Sequence, residues 1–105
     1  MSVIKLWVDD LRPAPEGWVW VKSSQEALDF IKTDGVEIAA VSFDHDLGGD
    51  DTTRPVALWM AEFEKFPPVV HVHTANPVGR DWLVGVATRY GPGVSPSTER
   101  SPDVQ

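Results

Sequence analysis

Apolar residues gather in four short runs along the chain, at positions 3–8, 18–21, 38–43 and 69–73. Three of the runs are nearly continuous rather than alternating. That is the pattern of strands covered on both faces, as in a parallel sheet with helices on each side. The run Trp18-Val19-Trp20-Val21 is shorter and suits a sheet edge.

Between the runs lie three helical patterns. Ser23-Ser24-Gln25-Glu26 has the spacing of a capping box, with Ala27, Leu28 and Ile31 as the apolar face beyond it and Gly35 as a stop. A second helix is predicted from near Thr53, with Pro55 in its first turn and Val56, Trp59, Met60 and Phe63 at helical spacing, until Pro67-Pro68 ends it. The third opens at Asn76-Pro77, an N-cap followed by proline, and runs through Trp82, Leu83, Val86, Ala87 and Tyr90 to Gly91, with Gly79 and Gly85 weakening it.

The predicted order is therefore β, β, α, β, α, β, α. Only positions 9–17 separate the first two strands, fewer than the dozen or so residues a parallel crossover usually needs, so that link is either very compact or not helical. After Gly91 the chain is rich in turn formers and poor in apolar residues, which divides it into a domain over 1–91 and a flexible tail over 92–105.

A length of 105 residues with 42% apolar and 24% charged positions fits one small domain. Barrels of eight βα units, at roughly 250 residues, are excluded. With no cysteine there is no disulfide scaffold, thiol nucleophile or thiolate metal site, and the expected location is cytoplasmic. No apolar stretch approaches the roughly 18 residues of a membrane span, and neither a signal peptide nor an anchor is expected. Nine basic against sixteen acidic residues give a net charge of −7 and a pI near 4.7. Such a field repels polyanions, which argues against broad nucleic-acid backbone binding but leaves room for a local phosphate site.

In open parallel α/β sheets, ligands bind beyond the carboxyl ends of the strands. The first strand there ends in Asp9-Asp10, the third in Asp44-His45-Asp46 and the last in His73-Thr74-Ala75-Asn76. Carboxylates gathered at one rim repel one another unless a cation lies among them. Magnesium, which takes one or two carboxylates and reaches a substrate phosphate, suits Asp9, Asp10 and Asp44. The competing reading is a set of helix caps and solvated loop acids.

In an extended segment Asp44 and Asp46 share a side and both serve one ion, while His45 points away. His45 then either supports the site, acts as an acid-base group, or is an exposed turn histidine. His71 and His73 share a strand face, a spacing that also permits a transition metal. His71 reads as a hydrogen-bonded core residue, and His73, at the strand terminus, as the candidate for proton transfer. Thr74, Asn76 and the start of the third helix offer donors to an anion. Arg80 is either a phosphate contact or an exposed residue paired with a local acid. Arg12 is either a phosphate contact or a counterion to the acidic pair.

These residues resemble a receiver domain, the doubly wound module of two-component signalling, in the acidic pair Asp9 and Asp10, the aspartate Asp44 and the hydroxyl residue Thr74. That resemblance implies that the acids hold magnesium, that Asp44 accepts a phosphoryl group and that Thr74 contacts it. Two features depart from a receiver. Leu11-Arg12-Pro13-Ala14-Pro15-Glu16-Gly17 stands where a receiver has a full helix, and no lysine follows Lys65 to serve as the lysine of a fifth strand.

The chain is more similar to the divergent receiver-like family named for cyclic-phosphate processing. The shared motifs are Trp-Val-Asp-Asp-Leu-Arg-Pro, Ser-Phe-Asp-His-Asp-Leu-Gly from Ser42 to Gly48 and His-Thr-Ala-Asn-Pro-Val-Gly from His73 to Gly79, spanning roughly Lys5 to Trp82. The resemblance implies a small, doubly wound, mainly parallel α/β sheet, a receiver-like (flavodoxin-like) three-layer sandwich truncated before the fifth strand. It also implies a phosphoesterase-type step on 2′,3′-cyclic phosphate ends in an RNA-repair context.

The expected site has Asp44, His45 and His73 in catalysis, Arg12, Thr74, Asn76 and Arg80 on the substrate, and Asp9, Asp10, Asp44 and Asp46 on a divalent metal, Mg²⁺ or Mn²⁺. Its expected partner is a phosphate-containing small molecule or an RNA end, with no membrane. The alternatives are a phospho-accepting receiver domain of a signalling system and a non-catalytic acidic binding module.

Overall fold

The computed structural model of the chain describes residues 2–96. Their order is β1 (Ser2–Val8), β2 (Val19–Val21), α1 (Ser24–Ile31), β3 (Val36–Phe43), α2 (Arg54–Glu62), β4 (Val69–Val72) and α3 (Pro77–Tyr90). The strands form one sheet in the order β2-β1-β3-β4, and every pairing is parallel. This is the α/β, receiver-like architecture truncated before a fifth strand. Among the described residues no helix is long and apolar enough to cross a membrane.

Register explains how so short a link joins two parallel strands. β2 pairs only with the last three residues of β1, Leu6 opposite Val19 and Val8 opposite Val21. The chain therefore steps back by only about 10 Å along the sheet before it re-enters, and no helix is needed. The link is held by side chains instead. Asp9 Oδ1 accepts from the backbone N–H groups of Leu11 and Arg12 at 2.8 and 2.9 Å, the indole N–H of Trp7 donates to Arg12 O at 2.9 Å, and that of Trp20 donates to Asp9 O at 2.6 Å.

Helix starts follow local capping chemistry. Ser23 Oγ accepts from Glu26 N at 3.0 Å, while the Glu26 carboxylate reaches back to Lys22 N, one residue before the cap that a capping box would satisfy. Asn76 Oδ1 caps α3 by accepting from Val78 N and Gly79 N, both at 3.1 Å. α2 begins behind Thr53 with Pro55 in its first turn and no side-chain cap bond.

The sheet expected to carry helices on each side carries them on one. Leu6, Val8, Val41, Phe43, Val70 and Val72 form the core with Ala27 of α1, Val56 and Met60 of α2, and Leu83 and Ala87 of α3. Alternation sends Trp7, Ala40 and Val69 to the opposite face, where they cluster with Trp18, Trp20 and Ala14. The third layer is thus indole rings and the 9–17 link. Trp7 meets Trp18 edge-on at 5.9 Å between centroids, a favoured aromatic geometry.

Of the tail drawn from position 92 onward, Val94 packs against the core and Ser95 N donates to Val70 O at 2.8 Å. Positions 97–105 lie outside the described residues.

Candidate active site

Strand ends β1 and β3 lie side by side, since Val8 pairs with Phe43 and Asp44 N donates to Val8 O at 2.9 Å. The residues that follow are consequently neighbours. Asp9, Asp10 and Asp44 each offer a carboxylate oxygen, and the three oxygens all lie within 4.8 Å of one another. Asp9 is buried, whereas Asp10 and Asp44 are half-buried and open the cluster to solvent. Gly48, at φ +88°, faces this cluster, and a Cβ there would stand 3.0 Å from Asp10 Oδ2.

No lysine or arginine makes an ion pair with the three acids among the described residues. The nearby guanidinium groups are turned elsewhere. Arg12 Nη1 donates to His73 O at 2.9 Å, Arg80 Nη1 to Val72 O at 2.8 Å, and Arg54 Nε to His45 Nε2 at 2.8 Å. Three hard oxygen donors with no lysine or arginine to neutralise them fit a divalent cation such as Mg²⁺ or Mn²⁺.

Asp9 is fixed from two sides. Its Oδ1 takes the two backbone N–H groups of the link, and its Oδ2 lies 2.9 Å from His73 Nε2. The His73 ring is stacked flat on Trp7, with centroids 3.9 Å apart and planes 5° from parallel, and its Nδ1 lies 2.7 Å from Ser42 Oγ. Burial pushes the His73 imidazole below its ordinary pKa and outweighs the upward pull of Asp9. The ring is accordingly neutral near pH 7, and both of its nitrogens have partners.

Asp46 does not join the triad. The strand ends at Phe43, so the alternation that would set Asp44 and Asp46 on one side stops there. Asp46 instead pairs with Thr52 in an isolated bridge and accepts from the Asn76 amide at 3.0 Å, with His45 Nδ1 at 3.1 Å. The Asn76 hydrogen bond first, and the His45 bond second, hold its carboxyl below the usual range.

His45 is buried rather than displayed. It lies under the first turn of α3, where a Cβ on Gly79 would come within 2.3 Å of its ring. Thr74 Oγ1 accepts from Asn76 N at 3.1 Å. His71 is a core histidine on Ser95 O at 2.9 Å. Asp51, in the loop after β3, accepts from Ser24 N at 2.9 Å and so serves the start of α1.

Sequence reasoning assigned no role to Ser42, Trp7 or Arg54, which together with Asp9 and Asp46 hold the two imidazoles. For Ser42 a signal exists, since it precedes Asp44 by two positions in a run of strand character.

No curated protein and no solved structure matches the chain significantly. A family model does, the cyclic-phosphate processing receiver domain, over residues 4–89. That span contains every strand end and helix start that builds the acidic rim, and the chain belongs to this family of receiver-like domains associated with cyclic-phosphate processing.

Proposed function

We propose that this domain carries out a metal-dependent phosphoesterase-type step on 2′,3′-cyclic phosphate ends, borne by a small nucleotide or by an RNA end. The observation that carries this reading is the convergence of Asp9, Asp10 and Asp44 at the strand termini with no lysine or arginine paired to them among the described residues. Asp10 and Asp44 are the solvent-facing ligands, and Asp9 is the buried one. A divalent cation held there supplies charge neutralisation at phosphate oxygens and an acidified water.

The rim also offers donors to a phosphate. Arg12 and Arg80 are exposed, and each spends one Nη1 on a carbonyl near the end of β4. A guanidinium has five N–H donors, so most remain to meet phosphate oxygens. The Thr74 hydroxyl accepts from Asn76 N and keeps its own proton for an anion. Asn76 contributes by capping α3 and orienting Asp46, not by a free amide. Opening of the ring adds water to phosphorus, breaks one ribose P–O bond and returns a proton to the freed ribose oxygen.

The test is incubation with Mg²⁺ or Mn²⁺ and a 2′,3′-cyclic nucleotide, following ring opening. Activity lost in Asp44→Ala is the expected result. Absence of hydrolysis with every divalent ion, or undiminished hydrolysis by that variant, overturns the proposal.

A further inference from the structure

Ser42 lies at the end of β3 and is 0% exposed, so no substrate touches it. Its hydroxyl nevertheless belongs to an unbroken line of hydrogen bonds, Ser42 Oγ to His73 Nδ1 at 2.7 Å and His73 Nε2 to Asp9 Oδ2 at 2.9 Å. Proton counting orients that line. An ionised carboxylate only accepts, so Nε2 carries the imidazole proton and donates to Asp9, which leaves Nδ1 as a lone pair that takes the proton of the Ser42 hydroxyl. Trp7 confines the ring to one plane. Stacking alone permits a half-turn of the ring about its Cβ–Cγ bond, which would exchange Nδ1 with Cδ2, and the bond from Ser42 favours the orientation seen here.

From this geometry we infer that Ser42 is a positioning residue, which holds the His73 ring so that its Nε2–H locks the Asp9 carboxylate in the orientation that receives a divalent cation. The inference rests on the metal-site reading above. Groups that orient a ligand in this way are commonly worth about 10- to 100-fold in metal affinity.

Two readouts test it on the full chain. Proton–nitrogen NMR of the metal-free protein reports whether the His73 Nε2–H is protected from exchange, and calorimetric titration with Mn²⁺ reports affinity. Ser42→Ala is expected to lose the protected N–H signal and about tenfold in Mn²⁺ affinity. The same substitution in a His73→Gln background is expected to change affinity no further, because Ser42 acts through the ring.

Retention of the protected signal in folded Ser42→Ala overturns the positioning role. Loss of the signal with affinity unchanged, or an undiminished loss of affinity in the His73→Gln background, overturns the link to the cation. Ser42→Cys, which keeps a weak donor at similar volume, serves if Ser42→Ala does not fold, with partial loss in both readouts expected and none in either overturning the role. A native protein that binds no Mn²⁺ at all fails the metal-site reading instead, and the NMR measurement still decides whether Ser42 orients His73.

Discussion

Arg54 Nε donates to His45 Nε2 across 2.8 Å, and this one bond determines the state of a buried imidazole. Since Nε2 is the acceptor, Nδ1 carries the proton and donates to Asp46, 3.1 Å away. His45 thereby joins the start of α2 to the loop after β3. Arg54 is itself set against the Trp82 ring, 4.7 Å from its centroid, which adds α3 to the same junction. Arg54→Ala leaves a buried nitrogen without its donor, a loss of about 1–3 kcal/mol. Chemical denaturation should show that loss while Mn²⁺ affinity stays within about twofold, because Arg54 has no bond to the triad. A much larger fall in affinity would mean that the junction around His45 also shapes the cation site.

Gly79 is where the third helix meets that imidazole. A helical glycine ordinarily costs about 1 kcal/mol relative to alanine, so Gly79→Ala would stabilise an unconstrained helix. Here the added Cβ would lie 2.3 Å from His45 Cγ and 2.7 Å from its Cβ. Steric cost prevails, and the variant should be destabilised by about 1–3 kcal/mol. Combining it with His45→Ala should recover part of the loss, which a double-mutant cycle measures. Additive losses would mean that the two residues do not touch.

Asn76 serves two ends of the site at once. Its Oδ1 caps α3 while its Nδ2 donates to Asp46. Asn76→Ala should cost about 1 kcal/mol through the lost cap. It should also let the Asp46 carboxyl rise toward its ordinary value of 3.8, since the Asn76 bond is the largest influence holding it down. Carboxyl-carbon NMR titration reads that rise, and an unmoved Asp46 would show that the Asn76 bond does not hold it down.

Periodicity carried the fold because each helix and strand announces itself locally. Asn76-Pro77 starts α3 and the 38–43 run lies within β3. The layering was not legible for a physical reason. A continuous apolar strand says that both faces are covered, and an indole or a folded link covers a face as well as a helix does. The triad Asp9, Asp10 and Asp44 was legible because parallel strands bring their carboxyl ends together. The directions of His45 and Asp46 were not, because alternation holds only while the backbone remains extended, and β3 ends at Phe43. Gly79 read as a weak point of its helix, and the close approach that requires it appears only once α3 is laid over His45.

His73 also makes the stability of the metal-free protein depend on pH. Burial lowers its folded pKa below the ordinary value of 6.5, against the smaller upward pull of Asp9. As pH falls through about 6.5 the unfolded chain takes up a proton that the folded ring still refuses, so stability is lost on acidification. The contribution is complete above the unfolded pKa and shrinks until the folded pKa is passed, with a slope of at most about 1.4 kcal/mol per pH unit for one proton. His73→Phe keeps a flat ring against Trp7 but removes the titration. With a chelator present, its unfolding free energy should fall less steeply than that of the native chain between about pH 6.5 and the folded pKa. Parallel curves over that window would mean that the imidazole titrates in the fold as it does in water, and that burial does not hold it neutral.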